Sequence, residues 1–367
     1  MYFILNNQQI SFDELRNFMR QPIDLKLSAY ELDVLKFCFQ YLNDVQQFSI
    51  TTSGSTGQPK PFILSRSLMQ WQVKTSAYVI GLHKGMKTLI CIPAEKVGGC
   101  MMLVRSMELG LPTEVILPVS NPMNHLDANH KFDFTALVPF QLQTILEAGE
   151  ESIAKLNRFK VILIGGAIIH QTIEDRLQKL QPDFFQTYGM TETASHIALR
   201  KLNGNGRQNS FYPLPGVQIT QNINGTIQIN IPNQPMVSAN DNIELHTDGS
   251  FNILGRSDWI INSGGVKVQP EKVEAAVNKA LTNLKLDFKN YFVCGLPDQK
   301  LGQKVSLIFE GEKFSEAEEE SLNNGLAEYL GPYEMPRNVK YVPKFLYNAS
   351  GKPDRLAMID LLVMMQN

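Results

Sequence analysis

The chain has 367 residues, 43% of them hydrophobic, with 34 lysines and arginines against 36 aspartates and glutamates. That is apolar material for about two domains with buried cores, and it excludes an intrinsically disordered chain. The net charge of −2 gives no electrostatic pull toward nucleic acid or an anionic membrane.

In chain order, residues 1–47 are mixed, with Leu32, Leu35 and Phe39 at helical spacing. Phe48–Thr51 reads as a strand running into the turn-rich loop Thr52–Lys60. Ser65 or Ser67 is placed to cap a helix whose Leu68, Trp71, Tyr78 and Leu82 share a face. Strand-like runs at Thr88–Ile92, Thr113–Leu117, Phe134–Val138 and Val161–Ile164 then alternate with helical stretches at Met101–Leu109, Phe140–Leu146 and Gln171–Leu180. Such alternation predicts an α/β core with helices over a sheet. After Phe211 come short strands at Ile219, Ile227–Ile231, Asn242–Leu245 and Phe251–Leu254, separated by Asn-Gly and Asp-Gly turns.

A boundary near Gly255–Asp258 predicts two domains: a large one at 1–257, α/β with a β-rich subdomain, and a small α+β one at 258–367. The small one has a helix opened by Pro270, with Val273, Val277, Leu281 and Leu284 on one face. Strands near Tyr291–Gly295 and Val305–Phe309 follow, then a helix started by the capping box Ser315–Glu318 and stopped by Gly331-Pro332.

Four cysteines, Cys38, Cys91, Cys100 and Cys294, form no Cys-x-x-Cys pair and join no His/Cys cluster, which fits a reducing compartment. The N-terminal residues read as neither a signal nor a transit peptide, and no apolar run approaches the ~18 residues of a membrane span. A cytoplasmic location is the expectation.

Chemistry concentrates in a few places. Thr52, Ser53, Gly54, Ser55, Thr56, Gly57 and Lys60 combine hydroxyl donors, backbone N–H groups freed by glycine and a cation, a set suited to a triphosphate. The spacing is not that of Walker A, and a plain Ser/Gly turn has the same composition. Gly165-Gly166-Ala167 ends a strand and either admits a flat ligand or simply makes a tight turn. Tyr188–Thr193 offers an aromatic ring, hydroxyls and the Glu192 carboxylate for a base, a phosphate and Mg²⁺, or a helix start capped by Thr191. Asp241 can accept from two ribose hydroxyls or close an Asx-turn. Arg256 with Asp258, and the turn ending in Lys352, read alone as surface features. His125 and His130 lack metal-ligand spacing, and no Gly-x-Ser-x-Gly elbow is present.

Taken in order, Thr52–Lys60, Gly165–Ala167, Tyr188–Glu192, Asp241, Gly255–Asp258, Ser263-Gly264-Gly265 and Ser350-Gly351-Lys352 resemble the adenylate-forming superfamily of acyl-CoA synthetases, luciferases and peptide-synthetase adenylation domains. The resemblance runs from about Phe48 to Asp354. It implies ATP, Mg²⁺ and CoA. The Thr52–Lys60 loop would hold the β- and γ-phosphates, and Gly165, Gly166, Ala167 and Tyr188 would flank adenine. Asp241 and Arg256 would take the ribose, Thr191 the α-phosphate and Glu192 the Mg²⁺. Lys352 would bridge carboxylate and α-phosphate during adenylation. Asp258 would be the hinge of the small domain, and Ser263, Gly264 and Gly265 would line the pantetheine tunnel.

The sequence also departs from that pattern. Only a short segment precedes Thr52, so much of the first large subdomain is missing, which favours a homodimer. Pro61 stands where glycine is common, and Ala239-Asn240-Asp241 replaces Thr-Gly-Asp. Lys96 holds a position that is often histidine. Within the superfamily, Val97–Arg105 and Thr191–Arg200 look most like the o-succinylbenzoate–CoA ligases of menaquinone biosynthesis. An acyl- or aryl-CoA ligase for another acid and a non-catalytic nucleotide-binding homologue are the alternatives. A dicarboxylate needs a cationic or hydroxyl partner for its second carboxylate, and Lys96, Ser195 and His196 are the candidates, with a surface lysine as the plainer reading of Lys96.

Overall fold

A computed structural model describes residues 2–20, 27–51, 61–166, 169, 171–286, 288, 290–347 and 353–365. It divides into two compact units, one of residues 1–218, 230–237 and 248–250, the other of 219–229, 238–247 and 251–367.

The first unit opens with a hairpin of β1 (Tyr2–Leu5) and β2 (Gln8–Ser11). Asn6 and Asn7 between them have φ of 48° and 58°. Two consecutive positive φ values give the tight turn whose twist matches the strands, and asparagine tolerates them. Next come α1 (Phe12–Asn17), α2 (Ala29–Leu42), and a second hairpin of β3 (Gln47–Thr51) and β4 (Pro61–Ser65). The unit continues with α3 (Arg66–Ile80), β5 (Thr88–Ile90), α4 (Val97–Leu109), β6 (Thr113–Val115), β7 (Phe134–Leu137), α5 (Pro139–Glu147) and α6 (Glu150–Leu156). It closes with β8 (Val161–Ile164), α7 (Gln171–Leu177), β9 (Asp183–Met190), β10 (Ser195–Lys201) and β11 (Tyr212–Pro213).

Nine of these strands form one sheet in the order β11-β10-β9-β8-β7-β5-β6-β1-β2. It is parallel from β9 through β1 and antiparallel at both margins. Strands β5, β7 and β8 are buried along their whole length, as expected where helices cover both faces. One face carries the core of Leu137, Leu142, Ile145, Ile162, Ile173 and Phe184. Burying each such side chain contributes about 1.5–3 kcal/mol. The other face carries α3 and α4. From Gly99 to Met107 every residue of α4 is buried, which explains a helix apolar almost all round.

The second unit holds the four-stranded sheet of β12 (Gln218–Gln221), β13 (Thr226–Asn230), β14 (Val237–Leu245) and β15 (Phe251–Arg256), with β14 and β15 antiparallel; its first residue and end segments group with the first unit. Beyond it lie β16 (Ile261–Ser263), β17 (Val266–Val268), α8 (Pro270–Leu284), β18 (Asn290–Asp298), β19 (Gly302–Glu310), α9 (Glu316–Ala327), β20 (Asn338–Val342) and α10 (Arg355–Met364). Strand alternation divides the core. Val293 joins Val273, Val277 and Leu322 of α8 and α9, while Phe292, Cys294 and Leu296 join Met358 and Leu362 of α10.

The α/β fold with a β-rich segment and a small α+β tail is as expected, and Ser65 caps α3 by accepting from the Leu68 N–H. Several details differ. The β1–β2 hairpin was missed. Tyr78 is 84% exposed and does not share the buried face of α3. Helix α4 begins four residues before Met101, and α7 stops at Leu177. Helix α9 ends at Ala327, before Gly331-Pro332, although Leu330 just beyond it still packs into the same core. Leu284 is 38% exposed, past the last buried position of α8 at Leu281. Among the described residues no helix is long and apolar enough to cross a membrane.

Candidate active site

In the first unit the expected site residues gather at the carboxyl ends of parallel strands, where ligands of open α/β sheets bind. Gly165 and Gly166 follow β8, and Tyr188 closes β9 with its ring 6.0 Å from that of Phe211. Thr191 and Glu192 form a single turn between β9 and β10, not the start of a helix capped by Thr191. Thr193 does the capping: its Oγ1 accepts from the Met190 N–H at 3.1 Å and donates to the Ser195 carbonyl at 2.7 Å. The Thr191 hydroxyl and Glu192 carboxylate stand outside that bond network, half-buried. Thr52–Lys60 and Ala167 lie outside the described residues. The loop's two ends are nonetheless fixed side by side, because β3 and β4 pair Thr51 with Pro61, and β4 packs on the Thr191–Thr193 turn.

Strand β10 starts irregularly. Ala194 and Ser195 have φ of 50° and 93°, left-handed values that cost a non-glycine residue about 1–3 kcal/mol each. A bulge between His196 and Ala198 shifts the register. Gly189 lies opposite His196, and a Cβ on it would come within 2.1 Å of the Ser195 carbonyl oxygen. The close approach thus requires glycine there.

This bulge places His196 in the interior, 3% exposed. Its Nδ1 is 3.5 Å from Nη2 of Arg105 on α4. That nitrogen donates at 2.9 Å to Oε1 of Gln72 on α3, and Gln72 Nε2 donates at 3.0 Å to the His196 carbonyl. Arg105 is 1% exposed and forms no salt bridge to a described carboxylate. Burial pulls its guanidinium down to about 10, although it remains a cation at neutral pH. Burial first and then Arg105 hold His196 well below the usual imidazole range, so its ring is neutral. Arg105 Nε and His196 Nε2 are buried without a hydrogen-bond partner among the described residues. Sequence reasoning missed Arg105. The signal was an arginine inside an otherwise apolar helix, Val97–Leu109.

Lys96 is the residue before α4, half-exposed, and no described hydrogen bond or ion pair joins it to Ser195 or His196. The helix start is pinned under its own loop. A Cβ on Gly99 would lie 2.2 Å from the Pro93 carbonyl oxygen, whereas one on Gly98 would meet only Ile92 Cδ1, at 3.4 Å.

In the second unit β14 and β15 pair Asp241 with Arg256. Arg256 Nη1 is 3.5 Å from Asp241 Oδ1, and its Nη2 is 2.5 Å from Asp258 Oδ2. The Arg256 N–H donates to Glu271 Oε1 at 3.3 Å, and burial raises the Glu271 carboxyl above its ordinary value. Ser263 ends β16, and Gly264 and Gly265 make the two-residue turn of the β16–β17 hairpin, with φ of 59° and 84°, values that glycine adopts without strain. Lys352 lies outside the described residues. On either side, Tyr347 bridges to Pro353 and its hydroxyl donates a hydrogen bond to Glu310 Oε2 at 2.7 Å, while Arg355 pairs with Glu274 at 2.9 Å. No group of three or more potential metal-ligating side chains occurs among the described residues.

The chain is similar to known proteins in sequence and in fold. The AMP-binding enzyme family matches residues 47–221. A 2-succinylbenzoate–CoA ligase of Lactococcus lactis is 27% identical over 322 residues, which are 83% of this chain and 68% of that protein. The crystal structure of an AMP-forming acyl-CoA synthetase/AMP-acid ligase II-like protein from Dyadobacter fermentans is 32% identical, with a TM-score of 0.61 over 95% of this chain and 98% of that one. The fold is also shared with the O-succinylbenzoate coenzyme A synthetase of Bacillus subtilis in complex with AMP, at TM-score 0.71 and 23% identity over 84% of this chain and 68% of that one. The chain belongs to the adenylate-forming superfamily, in its branch of AMP-forming acyl-CoA synthetases, and is an ATP-dependent acid–CoA ligase.

Proposed function

We propose that this ligase makes o-succinylbenzoyl-CoA, a step of menaquinone biosynthesis. The reading rests on the succinylbenzoate ligases among its relatives. The structural observation that carries it is Arg105: a buried guanidinium that pairs with no carboxylate among the described residues. A helix side chain leans toward the helix N-terminus, which for Arg105 is the carboxyl edge of the sheet. It is thus placed to take the carboxylate of a diacid that is not activated. Lys96 and Ser195 would face the same acid.

In the first half-reaction a carboxylate oxygen attacks the α-phosphorus of ATP, expelling pyrophosphate and leaving a mixed acyl-phosphate anhydride. In the second, the CoA sulfur attacks the acyl carbon and AMP departs. The Thr52–Lys60 loop would hold the β- and γ-phosphates, and Gly165, Gly166, Ala167 and Tyr188 would flank adenine. Asp241 and Arg256 would take the ribose, and Thr191 the α-phosphate. Mg²⁺ binds through one or two carboxylates plus substrate oxygens, so the half-buried Glu192 carboxylate would be its protein ligand once the phosphates are bound. Bound there, Mg²⁺ would neutralise phosphate charge in the in-line displacement. Lys352 would bridge carboxylate and α-phosphate by charge.

We further propose a boundary between 1–257 and 258–367, with Asp258 as hinge and Ser263–Gly265 lining the thiol tunnel once Lys352 has swung away. A homodimer in the cytoplasm completes the reading. Mass spectrometry of products from ATP, Mg²⁺, CoA and a panel of acids tests it. Dominant o-succinylbenzoyl-CoA with AMP is expected. Another thioester would discard the acid, and no AMP would discard the chemistry.

A further inference from the structure

The half-buried arginines elsewhere in the first unit have carboxylates. Arg200 is ion-paired with Glu174, and Arg66 lies 3.5 Å from Asp44. Arg105 is buried more deeply than either, yet its acceptors are an amide and an imidazole. A buried cation normally requires an anion close by. Gln72 is fully buried, and its one amide group reaches both the guanidinium and the bulged backbone of β10. An acceptor of that length without charge orients Arg105 and leaves its charge uncancelled. The Cys100 thiol, which interacts electrostatically with Arg105, is kept protonated by burial and does not cancel it either.

We propose that Gln72 is a positioning residue which, with His196, forms a neutral cradle for Arg105 and so reserves its charge for an anionic group of the acyl substrate. This rests on the reading of Arg105 given above and assigns the selectivity for diacids to an uncharged neighbour. A glutamate at the same position would lose the bond that Gln72 Nε2 donates to the His196 carbonyl, but its charge would hold the guanidinium more strongly and compete with the substrate for it.

The test is the variant Gln72→Glu, assayed with o-succinylbenzoate and with 4-oxo-4-phenylbutanoate, which lacks the aromatic carboxylate. Expected results are a melting temperature at or above that of the parent and a KM for the diacid raised tenfold or more. The KM for ATP and turnover of the monoacid should stay within about threefold. Gln72→Met, which removes the acceptor without adding charge, should raise the diacid KM less than Gln72→Glu does. Equal effects of the two variants would make the role mere packing and overturn the proposal. So would an unfolded Gln72→Glu protein, because a carboxylate beside Arg105 has to stabilise if the cradle is uncompensated. Arg105→Met separates the two levels: an unchanged diacid KM there refutes the reading of Arg105, whereas a raised one with an unchanged KM in Gln72→Glu refutes only the cradle.

Discussion

Gly98 and Gly99, neighbours in the first turn of α4, should respond oppositely to the same added methyl group. Alanine is favoured over glycine in a helix by about 0.5–1 kcal/mol. At Gly98 the new Cβ makes an ordinary contact of 3.4 Å, so Gly98→Ala should gain up to that amount. At Gly99 it would lie 2.2 Å from the Pro93 carbonyl oxygen and 2.8 Å from the Ala94 Cα. Both are backbone atoms that cannot rotate away, so helix and loop must part by more than an ångström. Overpacking of this kind costs about 1–3 kcal/mol, which outweighs the helix gain. For a unit of this size 1 kcal/mol moves the melting temperature by about 2–4 °C. Differential scanning calorimetry should therefore place Gly98→Ala slightly above the parent and Gly99→Ala below it, by up to about 10 °C. Because the displaced loop carries Lys96, Gly99→Ala should also weaken binding of the acid. If the two variants melt together, the close approach does not constrain the loop and the reasoning fails.

Lys352→Ala should lower ATP–pyrophosphate exchange by about 10²–10³ yet largely keep thioester formation from supplied acyl-adenylate; equal losses would contradict a lysine used in one half-reaction only. Lys96→Ala should raise the KM for the diacid without changing that for ATP, and an unchanged diacid KM removes Lys96 from the acyl site. His196 binds a proton less readily when folded than its ordinary value of 6.5, as does His130 through burial. The unfolded chain therefore takes up more protons as pH falls below about 6.5, and stability, complete above that value, drains away below it at up to about 1.4 kcal/mol per pH unit for each group. Urea unfolding at about pH 7.5 and 5.5 should show a smaller acid loss in His196→Asn than in the parent; identical losses would mean the buried imidazole is not what the acid attacks.

The parallel core was legible because β5, β7 and β8 are unbroken apolar runs with helical spacing between them. The β1–β2 hairpin was not, although its Asn-Asn pair carried the signal, because asparagine is not the usual glycine of such turns. Candidate site residues were named by type and order, and the structure pairs two of them, Asp241 and Arg256, across β14 and β15. Arg105 escaped that approach. Its significance lies in its neighbours: that no described carboxylate pairs with it is a property of packing among α3, α4 and β10, not of any local string of residues.

All four cysteines are buried free thiols, three in the first unit and Cys294 in the core of the second. Burial suppresses the thiolate in each, raising Cys91 and Cys294 to about 12, and the thiolate is the reactive form. A thiol reagent can then modify the native protein only when a unit opens. The rate at which mass is added at Cys294, against that at Cys38, Cys91 and Cys100, would measure the opening free energy of each unit separately, with no label introduced and no residue changed.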